Sequence, residues 1–559
     1  MVFPQYRPHY FVVQEDGVRS HLERRGWKQQ PPRHRRPPDF FWTLDERAID
    51  YDGLQDDQVA NHFRDIAVVA TKAGLTRSMN DVQWCAAGLA ADAITYFPRS
   101  YALDDQDGRA AFVDDFRRTA AAAVVRGVVE DLPFVPNLLE LALRVCSAWI
   151  NDLEAHRTGQ IASVLNDDEW HRLLEYSYVC GGGAAKPAPR KRRPASARPQ
   201  KLPRDASRAA GVRSLRELGR RTPRCYCDDR ILVDTTPDLL RTAAVGVARR
   251  LSELWPQWRI DGRRNVWIVK PPEACRGHGI VLKRRLEDVL SLAERMGGRV
   301  AQKYVETPML WKDDDRRGVK FDLRLRCLFV CGRERMRSYV FEPCYARLCS
   351  QPFSLEDDAL ANPMVHLSNL AVQRRGESDD EDLMRTQQAL EKKFATKHVS
   401  SLWSSHVRPR LAHIVAGLGA CAATQASPRT QSIELLGGDV VLDADGTPWL
   451  LEANLSPALA RRSDAHAATI ERMLDGVLCR TLDKWLPSGI PGQSEGGDRD
   501  DGWQFVRTHS MPRPAPTNTR GFGFFVVGLK LSGADLLRRD ASVSLIEAWH
   551  RLRMWWRPY

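Results

Sequence analysis

The 559-residue sequence predicts an α/β (α+β) protein in which a largely helical N-terminal part precedes a mixed core. Three observations predict this class. Ala110–Val129 and Leu138–Leu153 space their apolar residues as helices do. Beyond residue 225, strand and helix patterns alternate. The segment Ser432–Pro457, S-I-E-L-L-G-G-D-V-V-L-D-A-D-G-T-P-W-L-L-E-A-N-L-S-P, reads as two strands joined at Asp445-Gly446. That dipeptide suits the φ > 0 positions of a hairpin turn.

Taken in order, Gly181–Arg224 is rich in Gly, Ala, Pro, Lys and Arg around Arg190-Lys191-Arg192-Arg193, the composition of a disordered linker. It separates an N-terminal domain (1–180) and linker (181–225) from a core (226–487) and a C-terminal tail (488–559), expected to be partly disordered. Asn265–Lys270 is a buried-type strand. Leu286, Val289, Leu290 and Ala293 mark a helix stopped by Gly297-Gly298, and Val300–Val305 is the next strand. Arg374–Asp382 is polar and acidic, the pattern of an exposed loop. The tail ends in Met554-Trp555-Trp556-Arg557.

Composition narrows the class. A hydrophobic content of 43% is that of a globular protein, and the most apolar stretch, Gly521–Leu531, contains Lys530, so no membrane partner is expected. Met1–Val13 lacks the pattern of a secretory signal. Twelve cysteines without a C-x-x-C pair suggest reduced thiols rather than disulfides or zinc. The net charge of +12 favours an acidic partner: nucleic acid, an anionic membrane or an acidic protein surface. Arg190–Arg204 and the tail from Trp503 permit nucleic-acid contact, but no recognition module accompanies them, so no specific nucleic-acid partner is expected.

Four segments can carry chemistry. In the hairpin, the Asp445-Gly446 turn sets Asp439 opposite Glu452, and alternation puts Leu450, Glu452 and Asn454 on one face, with Trp449, Leu451 and Ala453 on the other. Asp439, Glu452 and Asn454 then offer only oxygens, which suits Mg²⁺ held with substrate phosphates. An exposed hairpin with ordinary surface carboxylates gives the same pattern. Val266–Val269 delivers Lys270 to the glycine-containing loop Ala274–Ile280, a way to hold a polyphosphate, although the spacing matches no standard phosphate loop. An ordinary tight turn reads alike. In Lys320–Val330, the residues Phe321, Leu323, Leu325, Cys327 and Phe329 share one face, and Lys320, Asp322, Arg324 and Arg326 the other. That charged row is either a solvated edge or the floor of a phosphate and carboxylate site. Ala301–Val305 offers a strand edge and Gln302 to a base, or is a plain strand.

Together the motifs W-I-V-K-P…R-G-H-G-I, V-A-Q-K-Y-V-E-T-P, K-F-D-L-R and G-G-D-V-V…W-L-L-E-A-N-L-S-P resemble the tubulin tyrosine ligase-like family over Ile231–Trp485. Tyr345–Phe353 and His366–Asn369 extend the match. Arg25-Gly26-Trp27, Asn61-His62-Phe63, Thr71–Leu75 and Tyr96–Arg99 look like the extension of the tubulin monoglycylases. The resemblance implies an ATP-grasp catalytic core and an ATP- and Mg²⁺-dependent ligase joining free glycine to glutamates of tubulin C-terminal tails, with a glutamylase or a non-catalytic microtubule-binding scaffold as alternatives. It implies a monomer in the cytoplasm and cytoskeleton, including a cilium or axoneme where one exists.

By position, the resemblance implies that Lys270 and the loop Arg276, Gly277, His278, Gly279 and Ile280 hold the α- and β-phosphates. Gln302, Lys303, Tyr304 and Val305 hold adenine, while Lys320 and Asp322 approach the γ-phosphate and ribose. Asp439, Glu452 and Asn454 ligate the metal. Arg324, with Arg347, Ser368 and Asn369, orients the acceptor, and Lys72 reaches the nucleotide from the N-terminal domain. The chain departs from the family at His278 (usually arginine), at Cys275 (commonly serine) and in an insertion within Trp311–Gly318. These departures read as tuning, since each metal ligand and lysine is kept.

Overall fold

The computed structural model describes residues 9–13, 15–31, 38–155, 163–180, 236–272, 274, 277–312, 318–374, 383–395, 402–457, 459, 464–482 and 501–511. The linker expected at 181–225 lies outside them, as do Cys275, Arg276, the middle of the 311–318 insertion, nearly all of the 374–382 loop and the C-terminal residues from 512.

Two sheets organise the described residues. The larger contains β1 (His9–Val12), β2 (Lys28–Gln29), β3 (Phe40–Trp42), β4 (Val59–Ala60), β9 (Leu310–Trp311), β10 (Val319–Cys331), β11 (Arg335–Phe341), β12 (Tyr345–Pro352), β13 (Met384–Thr386), β14 (Ser432–Leu442), β15 (Pro448–Leu455) and β16 (Trp503–Ser510). Its order is β13-β12-β10-β14-β4-β3-β1-β2, with β9 and β11 also pairing β10, β15 pairing β14 and β16 pairing β11. The smaller sheet runs β5-β8-β6-β7, with β5 (Ser100–Ala102), β6 (Trp267–Lys270), β7 (Val281–Lys283) and β8 (Val300–Lys303). Both sheets therefore take strands from the first hundred or so residues.

The long helices form where spacing predicts them, at Gln106–Val129 and Pro136–Glu154. The Asp105 carboxylate caps the first by accepting from the Gly108 N–H at 2.6 Å, and Pro136 opens the second. Leu286–Met296 ends at Gly297, whose φ of +63° a residue with a Cβ would resist. Asn265, expected to begin the strand that ends at Lys270, stands outside it: its φ is +49°, and pairing begins at Trp267.

β10 is the central element. Phe321, Leu323, Leu325, Cys327 and Phe329 pack on the main core, which includes Ile414, Val415 and Leu418 of the helix Arg408–Gln425. Because β10 is bordered along its length by β12, β11 and β14, its charged face is no solvated edge: Lys320, Asp322 and Arg326 are buried.

The hairpin corrects the expected faces. Near the turn, Val440 pairs with Leu450 and Val441 with Trp449, one residue off the predicted register. The turn spans Asp443–Thr447, where Asp443 Oδ1 accepts from the Asp445 and Thr447 N–H groups. A bulge then absorbs Leu451 and restores Asp439 opposite Glu452. Consequently Leu450 joins Ala453 in the core, while Trp449, Val441 and half-buried Leu451 gather on the side of Glu452. The predicted division of Leu450 and Trp449 between the faces is reversed.

The C-terminal region also holds order: β16 pairs β11 from Trp503 to Ser510, and Trp503 is buried against the helix Asp464–Thr481.

One buried ion pair ties the N-terminal strands to β14. His62 Nδ1 meets Glu434 Oε1 at 2.9 Å, and His62 Nε2 meets the Thr43 carbonyl at 2.9 Å. Nε2 also lies 3.3 Å from the Asn61 amide nitrogen, while the Glu434 carboxylate at Nδ1 favours the charged imidazolium. Burial opposes that charge, but the Glu434 carboxylate outweighs it and raises the imidazole pKa. The Phe63 N–H occupies the other Glu434 oxygen at 3.0 Å. Glu434→Leu strands a buried cation and is expected to cost about 3–5 kcal/mol, read as a lower urea midpoint. The double substitution His62→Phe/Glu434→Leu is expected to recover part of that loss. Since the folded pKa is raised, the histidine's contribution is complete below about 6.5 and fades as pH rises through the raised value. An unchanged midpoint in Glu434→Leu contradicts this account.

Candidate active site

Between the two sheets lies a crevice floored by β10, β12, β14 and β15 and roofed by β6 and β8. Lys270 ends β6 inside it. Its ammonium donates to Gln302 Oε1 at 2.7 Å and to the Leu451 carbonyl at 3.1 Å. Burial, assisted by neighbouring Lys72 and Lys320 and opposed by Glu452 and Asp439, pushes its pKa down to about 8. Lys320 donates to the His366 carbonyl at 2.8 Å and stands 5.3 Å from the centre of the Tyr304 ring; burial lowers its pKa too. Lys72 opens the helix Lys72–Asp81, where the Thr71 hydroxyl accepts from the Gly74 N–H. Its ammonium donates to the Ala274 carbonyl at 2.6 Å and lies 3.8 Å from Glu452 Oε2.

Three ammonium groups thus share one partly desolvated space, an arrangement that costs free energy unless an anion enters. Glu452 pairs with Lys72, but the other carboxylates are engaged elsewhere. Asp439 accepts from Arg324 at one oxygen and from Arg347 Nη2 at the other, at 2.8 Å for the latter. Arg347 also grips Asp322 through Nε at 2.8 Å and Nη2 at 2.5 Å. Burial alone would raise the Asp439 carboxyl, but the two guanidiniums hold it well below the usual carboxylate range. Arg347 is therefore spent inside the site, fixing Asp322 and Asp439.

Asp439, Glu452 and Asn454 lie on one side of the hairpin, and Asn454 Nδ2 donates to Glu452 Oε1 at 3.1 Å. Among the described residues no cluster of three or more His, Cys, Asp or Glu forms a closed metal cage. Two carboxylates and an amide oxygen fit a hard cation that takes its remaining ligands from phosphates and water.

The other predicted residues separate. Gly277 and Ile280 line the crevice, and a Cβ on Gly277 would lie 2.7 Å from Val372 Cγ2, while its φ is +76°. His278 and Gly279 face solvent, outside the lining. Gln302, Tyr304, Val305, Ser368 and Asn369 line it; Asn369 Oδ1 also accepts from the Ala371 N–H. Lys303 reaches it by position alone, because its ammonium is buried against Glu306 Oε1 at 2.6 Å and the Val266 carbonyl at 3.0 Å. Strand alternation sends Gln302 and Lys303 opposite ways.

Ile268, Val441, Leu451, His366 and Leu367 also line the crevice, and sequence reasoning did not assign them roles. Ile268 is two residues from Lys270 on the same strand, a signal alternation could have supplied. The His366 Nε2 faces the Ala359 carbonyl and Nδ1 the Tyr304 hydroxyl, so the ring is neutral; burial, with Lys320 nearby, pushes its pKa down to about 4.

Residues 243–488 match the model of the tubulin-tyrosine ligase family. Over these residues the chain is similar to that family. Curated relatives are similar over most of it: protein monoglycylase TTLL8 of Mus musculus at 27% identity, covering 80% of this chain and 53% of the relative. Tubulin monoglycylase TTLL3 of Danio rerio is 26% identical over 80% of this chain and 56% of its own length. Tubulin glycylase 3D of Tetrahymena thermophila is 25% identical over 82% and 46%. The chain spans about half the length of these relatives.

Inorganic triphosphate is a direct probe of the three lysines. As pH rises through about 8, Lys270 loses its charge, so triphosphate affinity is expected to fall across that range. Calorimetric titration checks this, and Lys270→Arg is expected to remove the inflection. PH-independent affinity between 7 and 9 (roughly one unit either side of that value) contradicts the assignment.

Proposed function

We propose that this chain is an ATP- and Mg²⁺-dependent carboxylate–amine ligase that joins glycine to the γ-carboxylate of glutamates in acidic tubulin tails. The observation that carries the reading is the crevice itself: Lys72, Lys270 and Lys320 converge beside the Asp439–Glu452 pair, with Arg324 at its edge. The two-sheet arrangement around that crevice suits an ATP-grasp core within 226–487, preceded by an N-terminal domain that lends Lys72. The names of the curated relatives favour glycine, and the net charge of +12 suits an acidic tail. The reading places the protein in the cytoplasm on microtubules, acting as a monomer.

In this reading Lys270 and the Gly277–Ile280 turn hold the α- and β-phosphates. Ile268, Tyr304, Val441 and Leu451 sandwich the base, with Gln302 and the neighbouring strand edge at its rim. Lys320 and Asp322 meet the γ-phosphate and ribose. Asp439, Glu452 and Asn454 would hold Mg²⁺, which supplies charge neutralisation at the phosphates. Arg324 holds the acceptor carboxylate, and Arg347 acts as a positioning residue.

A carboxylate is a poor electrophile until one oxygen becomes a leaving group. Transfer of the γ-phosphoryl group to a carboxylate oxygen releases ADP and forms an acyl-phosphate. The glycine amine then forms the new N–C bond, the C–O bond to phosphate breaks, inorganic phosphate departs with that bond's electrons, and the amine releases its proton. Arg324 and the lysines offset the repulsion between the anionic reactants.

The test incubates the protein with ATP, Mg²⁺, microtubules and labelled glycine or glutamate. Glycine incorporation is expected, and Glu452→Gln is expected to reduce it by a factor on the order of 10²–10³. Glutamate incorporation overturns the glycine assignment. No incorporation of either, with microtubule binding intact in both proteins, overturns the ligase reading in favour of a scaffold.

A further inference from the structure

The charged face of β10 continues past Arg324. Registering the strands places Arg324 beside Tyr345 of β12 and Asp439 of β14, and the next position on that face, Arg326, beside Gly437. Arg326 is buried, and its guanidinium lies 5.7 Å from the centre of the Tyr345 ring. Tyr345 is half-buried, and His466 packs edge-on against it at 5.6 Å. Arg324, Tyr345, Glu452, Asn454 and His466 are each partly exposed.

On this part of the floor Arg324, Arg326 and Arg347 stand near Asp322, Asp439 and Glu452, and Asp322 and Asp439 are gripped by Arg324 and Arg347. Burial raises the phenol of Tyr345, yet Arg326, Arg324 and Arg347 beside it outweigh that and lower its pKa.

Spacing then matters. Successive positions on one face of a strand are roughly 7 Å apart. In glycine the amine nitrogen and a carboxylate oxygen are about 3 Å apart by standard bond lengths, and a charge-assisted hydrogen bond adds about 3 Å. An amine attacking beside Arg324 therefore brings its own carboxylate within reach of the next position. We propose that Arg326 and the Tyr345 hydroxyl bind the α-carboxylate of the free amino acid. This deepens, and rests on, the ligase reading of the same site. β10 then meets the three anionic groups in the order of reaction: Lys320 the γ-phosphate, Arg324 the acceptor carboxylate and Arg326 the amino-acid carboxylate.

The test compares glycine with glycinamide, which keeps the amine and lacks the carboxylate. In the wild-type protein, kcat/KM is expected to favour glycine strongly. In Arg326→Gln the glycine KM is expected to rise about 30-fold or more, with glycinamide little changed, so that the preference collapses toward unity. Tyr345→Phe is expected to reduce the preference about fivefold. Inorganic triphosphate affinity reports whether each variant retains its folded crevice; if Arg326→Gln does not, Tyr345→Phe decides. A preference retained in a folded variant overturns the subsite while leaving the ligase reading in place. Failure of the wild-type protein to incorporate either amine overturns both.

Discussion

The site depends on burying charge along one face of β10 without leaving it unpaired. The strand's other face is core, and β12 and β14 border it, so Asp322 and the buried Lys320 and Arg326 cannot rotate out to water. The Arg347 bridge between Asp322 and Asp439, closed by Arg324, makes that burial tolerable. The same bridge fixes where the carboxylates stand relative to the lysines. Stability and chemistry thus draw on the same guanidiniums, and a conservative Arg-to-Lys exchange would not reproduce the forked contacts.

The N-terminal residues belong to this construction. Ala60 of β4 pairs with Ser432 at the start of β14, and Ser100 of β5 pairs with Gln302 of β8. Lys72 supplies a third ammonium, and the His62–Glu434 pair anchors the far end of the strand that carries Asp439. Ser456, two residues past Asn454, donates to the Leu44 carbonyl at 3.0 Å. Crevice floor, roof and hairpin end are each tied to the first hundred or so residues.

Much of this was legible where a pattern is local. The two long helices, the Gly297 stop and the alternation of β10 each follow from short-range spacing. The Asp439–Glu452 pairing was reached through a turn that does not form: a five-residue turn and a bulge at Leu451 compensate each other. Bulges leave little trace in residue pattern, so faces near the turn were misassigned while the ligand pairing was not. Lys303 reads as a base contact beside Gln302, but only tertiary packing reveals Glu306 beneath it. β16 was missed because Trp-Gln-Phe-Val-Arg-Thr-His-Ser becomes a strand through pairing with β11, a partner far away in the chain. His366 and the apolar walls are assembled from four separate segments, and no single stretch announces them.

The central claim is that this charged floor activates a carboxylate by giving it a phosphate leaving group. Labelling both oxygens of the acceptor glutamate's γ-carboxylate with ¹⁸O tests it most directly. The account predicts that each amino acid joined transfers one labelled oxygen to the inorganic phosphate released, seen by mass spectrometry. Phosphate released without label, while the amide forms, would contradict it.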